Sequence, residues 1–191
     1  MRNLSADLRR CFSQGRSITL KSALKVVLGD NHGVKALLAY RLGRWLLSKR
    51  RNPGVWLLWP VAWPAYYLVS SYARFVFDIH LELSADIGPG LYIGHFGGIV
   101  LRNCRVGAHC SISQSTQIMA GEDGVPPVIG DRVWIGAQAK IIGPMHIGAG
   151  STVSAGSVVR RDVPERTLYM GNPGRIVMRD YDNSSILGIT S

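Results

Sequence analysis

Between Leu81 and Val159 an aliphatic residue recurs on a six-residue beat: Leu81, Ile87, Ile93, Val100, Val106, Ile112, Ile118, Ile129, Ile135, Ile141, Ile147, Val153 and Val159. The beat slips by one residue between Ile93 and Val100 and by five between Ile118 and Ile129. An internal repeat of fixed period is the signature of a solenoid. A six-residue unit is one short strand plus a turn, and three units make a coil that stacks roughly 4.8 Å above the last by parallel pairing. The repeated aliphatic then points inward. The position two before it shares the crowded interior and must be small; it reads Ala85, Cys104, Cys110, Thr116, Val133, Ala139, Ser151 and Ser157, with Leu91 and Met145 as larger exceptions. Glycine follows the aliphatic at Gly88, Gly94, Gly107, Gly130, Gly136 and Gly148, where it is expected to supply positive φ in tight turns.

Charge divides the chain. The formal net charge is +10, yet residues 1–77 hold thirteen Lys/Arg against two Asp/Glu, and residues 78–191 hold nine against ten. Such asymmetry points to a membrane or nucleic-acid partner for the N-terminal part. Cys104 and Cys110 fall in the small interior slots, and with Cys11 they form no CxxC motif, so they read as core residues in a reducing compartment. The first thirty residues lack the basic-then-apolar pattern of a signal peptide.

Three segments are expected: a helical, membrane-associating segment over 1–77, a β-helix over 78–164 and an extension over 165–191, mobile from Asp180. Short helical spacing covers Leu20 to Leu28, and a basic amphipathic helix runs from Val34 to about Lys49. That second helix reads equally as a membrane-surface element or as one packed on its own protein. Asn52 to Ala73 contains no charge and is rich in Trp and Tyr, but Pro60 and Pro64 interrupt it. It reads as an interfacial or re-entrant hairpin at the cytoplasmic face of an inner membrane rather than a span. Its aromatics lie in an apolar block rather than beside cations in a polar groove, which argues against nucleic acid. The turn-rich stretch 119–128 should leave the coil as a loop.

The Ile/Leu/Val-Gly-x4 pattern resembles the hexapeptide-repeat acyltransferases over about residues 78–178. That resemblance implies a mainly β fold, a left-handed parallel β-helix, a homotrimer with sites between subunits, and acetyl-CoA as co-substrate. The one-residue slip lies at Ile93-Gly-His-Phe-Gly-Gly-Ile-Val100. A histidine in this turn is the family's general base, which assigns that role to His95; an imidazole suits it because its pKa lies near working pH. The stretch resembles the Asp-His-x-x-Gly of serine acetyltransferases, and more closely the Gly-Leu-Tyr-Ile-x-His-x-Gly-Gly-Ile-Val of bacterial polysaccharide O-acetyltransferases. The carboxylate that orients the histidine in serine acetyltransferases falls at His80 by counting, leaving Asp78 and Glu82 on either side as candidates. By the same resemblance the pantetheine arm runs along Ala137, Ala139, Lys140, Ala155 and Gly156. Arg160, Arg161 and Arg175, with Lys140, are candidates for the nucleotide phosphates. Tyr92, Phe96, Ser113 and Gln114 are candidate acceptor contacts.

Serine acetyltransferases carry Asp before the histidine and an Arg-His pair in the extended loop; here those positions are Gly94 and Val125-Pro126. The expectation is therefore a sugar hydroxyl of a polysaccharide or lipid-linked glycan as acceptor. Serine O-acetylation is the alternative enzyme, and a non-catalytic membrane-anchored scaffold the alternative of another class. Zinc carbonic anhydrases of similar fold need two histidines close in sequence; His32, His80, His95, His109 and His146 offer no such pair, so no metal is expected.

Overall fold

The computed structural model describes residues 2–11, 29, 32–50, 59–94 and 97–188. The expected helix at 20–28, the start of the uncharged stretch at 52–58, and the site candidates His95 and Phe96 lie outside the described residues.

The repeat builds a prism of three parallel sheets. Sheet one stacks β1 (Ile79–Leu81), β4 (Ile99–Arg102), β7 (Gln117–Met119), β10 (Lys140–Ile142) and β13 (Val158–Val159). Sheet two stacks β2 (Asp86–Ile87), β5 (Arg105–Val106), β8 (Val128–Ile129) and β11 (His146–Ile147). Sheet three stacks β3 (Tyr92–Ile93), β6 (Ser111–Ile112), β9 (Trp134–Ile135), β12 (Thr152–Val153) and β14 (Leu168–Gly171), with β15 (Gly174–Met178) added antiparallel. Register aligns the aliphatics into three interior columns. They are Leu81–Leu101–Ile118–Ile141–Val159, Ile87–Val106–Ile129–Ile147–Val163, and Ile93–Ile112–Ile135–Val153–Tyr169. This parallel solenoid is consistent with the left-handed β-helix that the resemblance implies.

One column member differs from the sequence reading. Leu101 fills the interior slot and Val100 does not: Ile99 and Leu101 are fully buried, and Val100 pairs with the outward His80. The slip after Ile93 is thus two residues long and is recovered by a five-residue step to Val106. The small interior slots hold as expected, with Ala85, Cys110, Thr116, Val133, Ala139, Ser151 and Ser157 at 0% exposure. The glycine after the aliphatic serves a different purpose from positive φ. A Cβ on Gly136 would sit 2.5 Å from the backbone nitrogen of Ala155 in the next coil, and one on Gly88 would sit 2.7 Å from the carbonyl carbon of Gly107. Glycine is needed there for close approach between coils; the left-handed conformation falls two residues later, as at Gly90, His109 and Gln138.

The solenoid also runs past residue 164. Val163 bridges to Ile147 and β14 pairs with β12, because Tyr169 still fills the interior column. The tail is not loose over its described part. α4 (Ser184–Leu187) is docked by the buried Asn183, whose Nδ2 donates to the carbonyls of Arg132 and Ser151.

Three helices, α1 (Arg2–Cys11), α2 (His32–Ser48) and α3 (Trp59–Phe77), pack at the first coil. α2 is packed on its own protein. Tyr40 donates to the Ala85 carbonyl at 2.8 Å, and a Cβ on Gly33 would overlap Ile93. Arg41 donates to the carbonyls of Ile87 and Gly88 and serves the fold, whereas Arg44 makes an exposed pair with Asp86. The described part of the uncharged stretch is one continuous helix, not a hairpin. Pro60 lies in its first turn, where an N–H has no intrahelical partner anyway, and Pro64 forfeits a single bond.

Candidate active site

The turns that follow the strands of sheet three stack at one edge of the prism. Ser115 N–H donates to the Gly97 carbonyl at 2.7 Å, Gln138 N–H to the Gln114 carbonyl at 2.9 Å, and Gly156 N–H to the Ala137 carbonyl at 2.7 Å. The turn at Gly97–Gly98 is therefore the lowest of a ladder. Ser113 and Gln114 lie one rung up, Ala137 two and Ala155–Gly156 three, about 14 Å from the first at ~4.8 Å per rung. Tyr92 precedes the lowest turn, and a Cβ on Gly94 would touch its ring at 3.6 Å. Small residues leave this edge open: Ala155 and Gly156 are exposed and Ala137 is partly so.

The two candidate acids part company. Asp78 ends the connection from α3, with φ at +51°, directly beneath the lowest turn. Its Oδ2 accepts from Gly98 N–H at 2.7 Å, its carbonyl accepts from Ile99 N–H at 3.1 Å, and its Oδ1 lies 3.3 Å from His80 Nε2. Glu82 lies beyond the other end of β1, roughly 13 Å along the strand at ~3.3 Å per residue. It accepts from Ser84 Oγ, lies 3.9 Å from Arg102 Nε, and faces a cavity of ≈ 310 Å³ between α2, α3 and β1. Of the two candidate acids, Asp78 is the one that contacts this turn, and Glu82 lies at the far end of β1. The N–H of Gly98, which is not among the candidates named from sequence, is the group that ties Asp78 to the turn.

The donor candidates also separate. Ala139 is fully buried in the interior slot and cannot line a groove, because its Cβ points into the column. Lys140 is exposed at the start of β10, next to the ladder. Arg175 is exposed on the β14–β15 hairpin at the top of the same edge, where Gly171 N–H donates to Ser157 Oγ. Arg160 and Arg161 are exposed past the end of β13, toward the other end of sheet one. The loop at 120–127 leaves from that other end. Gly124 accepts from Asn103 Nδ2 at 3.0 Å, so Glu122, Asp123, Val125 and Pro126 do not share the ladder's edge within one chain. Among the described residues no group of three or more His, Cys, Asp or Glu could hold a metal ion.

Residues 126–161 match the bacterial transferase hexapeptide (six repeats) family. A serine acetyltransferase of Synechococcus elongatus is 32% identical over 93% of this chain and 69% of its own length. Among solved structures, a soybean serine acetyltransferase complexed with serine superposes with a TM-score of 0.74 at 31% identity, over 92% of this chain and 68% of that one. A Brucella abortus serine acetyltransferase in complex with coenzyme A gives 0.74 at 26% identity, over 93% and 67%. The chain thus spans about two thirds of each. These relatives overturn the expectation of a saccharide acceptor, which rested on treating the amino-acid-holding groups as fixed at Gly94, Val125 and Pro126. They likewise remove the non-catalytic scaffold: with a solenoid shared over nearly its whole length and the turn ladder intact, this chain is an acyltransferase of the hexapeptide-repeat family and belongs with the serine acetyltransferases.

Proposed function

We propose that this chain transfers the acetyl group of acetyl-CoA to the hydroxyl of serine, in sites shared between subunits of a homotrimer of left-handed β-helices. The observation that carries the reading is the ladder edge. An open column of small residues, with Lys140 and Arg175 alongside, rises from the turn whose Gly98 N–H donates to Asp78, and this supports assigning the base to His95, three residues before Gly98 in the chain. The pantetheine arm lies along that column and brings the thioester to the lowest turn. His95 takes the proton of the serine hydroxyl, the oxygen attacks the thioester carbonyl, the carbon–sulfur bond breaks, and the proton passes to the departing thiolate. Asp78 acts as a positioning residue for the turn.

The placement of the loop at 120–127 supports a site shared between chains, as in the proposed trimer. That loop stands at a different edge from the ladder, so a neighbouring chain is needed to bring loop and turn together. Glu122 and Asp123 on that loop are exposed acids that can face the serine ammonium, a charge that must be matched in a closed site.

Thiol release from acetyl-CoA tests the reading. Turnover with L-serine, absent without acceptor and absent with D-serine, is the expected result, from a particle whose mass by light scattering is a multiple of three chains. A particle that binds acetyl-CoA but gives no serine-dependent thiol overturns the acceptor, and an active monomer overturns the shared site.

A further inference from the structure

We infer that α3 docks the protein onto an anionic lipid surface, a reading independent of the acceptor assigned above. One side of α3 is already used: Tyr66, Ala73 and Phe77 are buried against α2 and the first coil. The opposite side is a continuous apolar stripe. Val61, Leu68 and Phe75, spaced seven apart, are 74%, 71% and 89% exposed, and Tyr72 beside them is 59% exposed. Seven-residue spacing puts these side chains on one face of the helix. A stripe of this kind in contact with water is costly and marks an interaction surface.

Charge identifies the partner. Residues 32–77 contain seven Lys/Arg and no Asp/Glu. Arg41 and Arg44 are consumed by ion pairs with Asp7 and Asp86, but Lys49, Arg50 and Arg74 remain exposed near the two ends of α3. Arg50 lines an apolar cleft of ≈ 440 Å³ with Leu47 and the stacked pair Trp59–Trp63. Cations beside tryptophan and tyrosine at the rim of an apolar face match the headgroup boundary of a bilayer, where these residue types concentrate. A second copy of the chain fits worse, because a two-fold pairing of this face would set one acid-free cationic segment against another. Among the described residues no helix is long and apolar enough to cross a membrane, so α3 lies along the surface with its stripe in the acyl boundary.

The test is cosedimentation of the full chain with vesicles of phosphatidylcholine alone and of equal parts phosphatidylcholine and phosphatidylserine, at low and high salt. The expected result is binding to the anionic vesicles, weakened by salt. The Leu68→Glu/Phe75→Glu variant should partition at least ~10-fold less while keeping its thiol-release rate and oligomeric mass. Equal, salt-independent binding to both vesicle types, or no binding to either, overturns the proposal. Undiminished binding by the variant does the same. A variant that loses oligomeric mass identifies the stripe as a protein interface instead. Thiol-release activity in solution reports on the acetyltransferase reading separately.

Discussion

The carboxylate of Asp78 accepts a hydrogen bond from the backbone N–H of Gly98 at 2.7 Å, joining the end of the helical segment to the turn that opens the catalytic edge. Its second oxygen lies 3.3 Å from His80 Nε2, so the same carboxylate is held between a side chain and the turn. Asp78→Ala frees both. A mispositioned base costs roughly 10²-fold for about 1 Å, so serine-dependent kcat should fall by about that factor with the KM for acetyl-CoA little changed. Asp78→Asn, which keeps an acceptor for Gly98, should recover part of the loss. Glu82→Gln, at the far end of β1, should stay near the parent rate. A Glu82→Gln loss as large as that of Asp78→Ala would contradict the assignment.

His95 is the second position to test. Its replacement by alanine should lower turnover by roughly 10²–10⁴-fold, the range for loss of a general base. Coenzyme A affinity, measured by calorimetry, should be unchanged, since the donor residues begin two rungs higher at Ala137. Near-parent turnover in that variant would remove the imidazole from the proton path.

Much of this arrangement was legible because a stacked coil repeats one set of steric demands. The interior columns are filled by aliphatics, with Tyr169 at the end of one, and most slots beside them take a small residue. Thirteen positions therefore carried the fold's period, and twelve of them point inward or nearly so. Val100 misled because Ile99, Val100 and Leu101 are three consecutive aliphatics, and spacing cannot tell which of them faces the core. Pairing with β1 decides it. The choice between Asp78 and Glu82 was illegible for a related reason. Counting residues along the chain placed its slot at His80, whereas the contact to Gly98 is made across sheet one, between the starts of β1 and β4. The acceptor was misjudged because absent charges at single positions say nothing about groups brought in by another chain.

The buried thiols give a pH prediction. Burial pushes the Cys104 thiol up to about 12 and the Cys110 thiol up to about 11. An unfolded cysteine ionises near ~8.5. The folded chain therefore keeps protons that the unfolded chain sheds above that pH. The stability these thiols contribute is complete below ~8.5 and is lost progressively as pH rises toward the folded values, by about 1.4 kcal/mol per pH unit for each thiol. Urea unfolding between pH 8 and pH 10 should show this decline, and replacing both cysteines by alanine should flatten it. In the native protein at pH 8, peptide mapping after iodoacetamide should find Cys104 and Cys110 unmodified. Rapid native alkylation of either would contradict their burial.

The last prediction concerns how α1 is fastened. Asp7 is 3% exposed, and its carboxylate is ringed by donors. Arg41 Nε lies 2.9 Å from Oδ2, and the N–H groups of Gly90 and Leu91 donate to Oδ1 at 2.6 and 3.2 Å. Arg41 in turn donates to the Ile87 carbonyl at 2.6 Å, so helix α1, helix α2 and the first coil meet at one ion pair. Removing Arg41 leaves a buried carboxylate with only backbone partners. Arg41→Met should therefore cost about 3–5 kcal/mol in urea unfolding, the usual penalty for breaking a buried pair from one side. Asp7→Asn keeps the shape and an acceptor for Gly90, and should cost less than Arg41→Met. The double variant should lose clearly less than the sum of the two singles, because the second change removes the charge that the first one stranded. Strict additivity would mean that the two side chains do not act as a pair in solution.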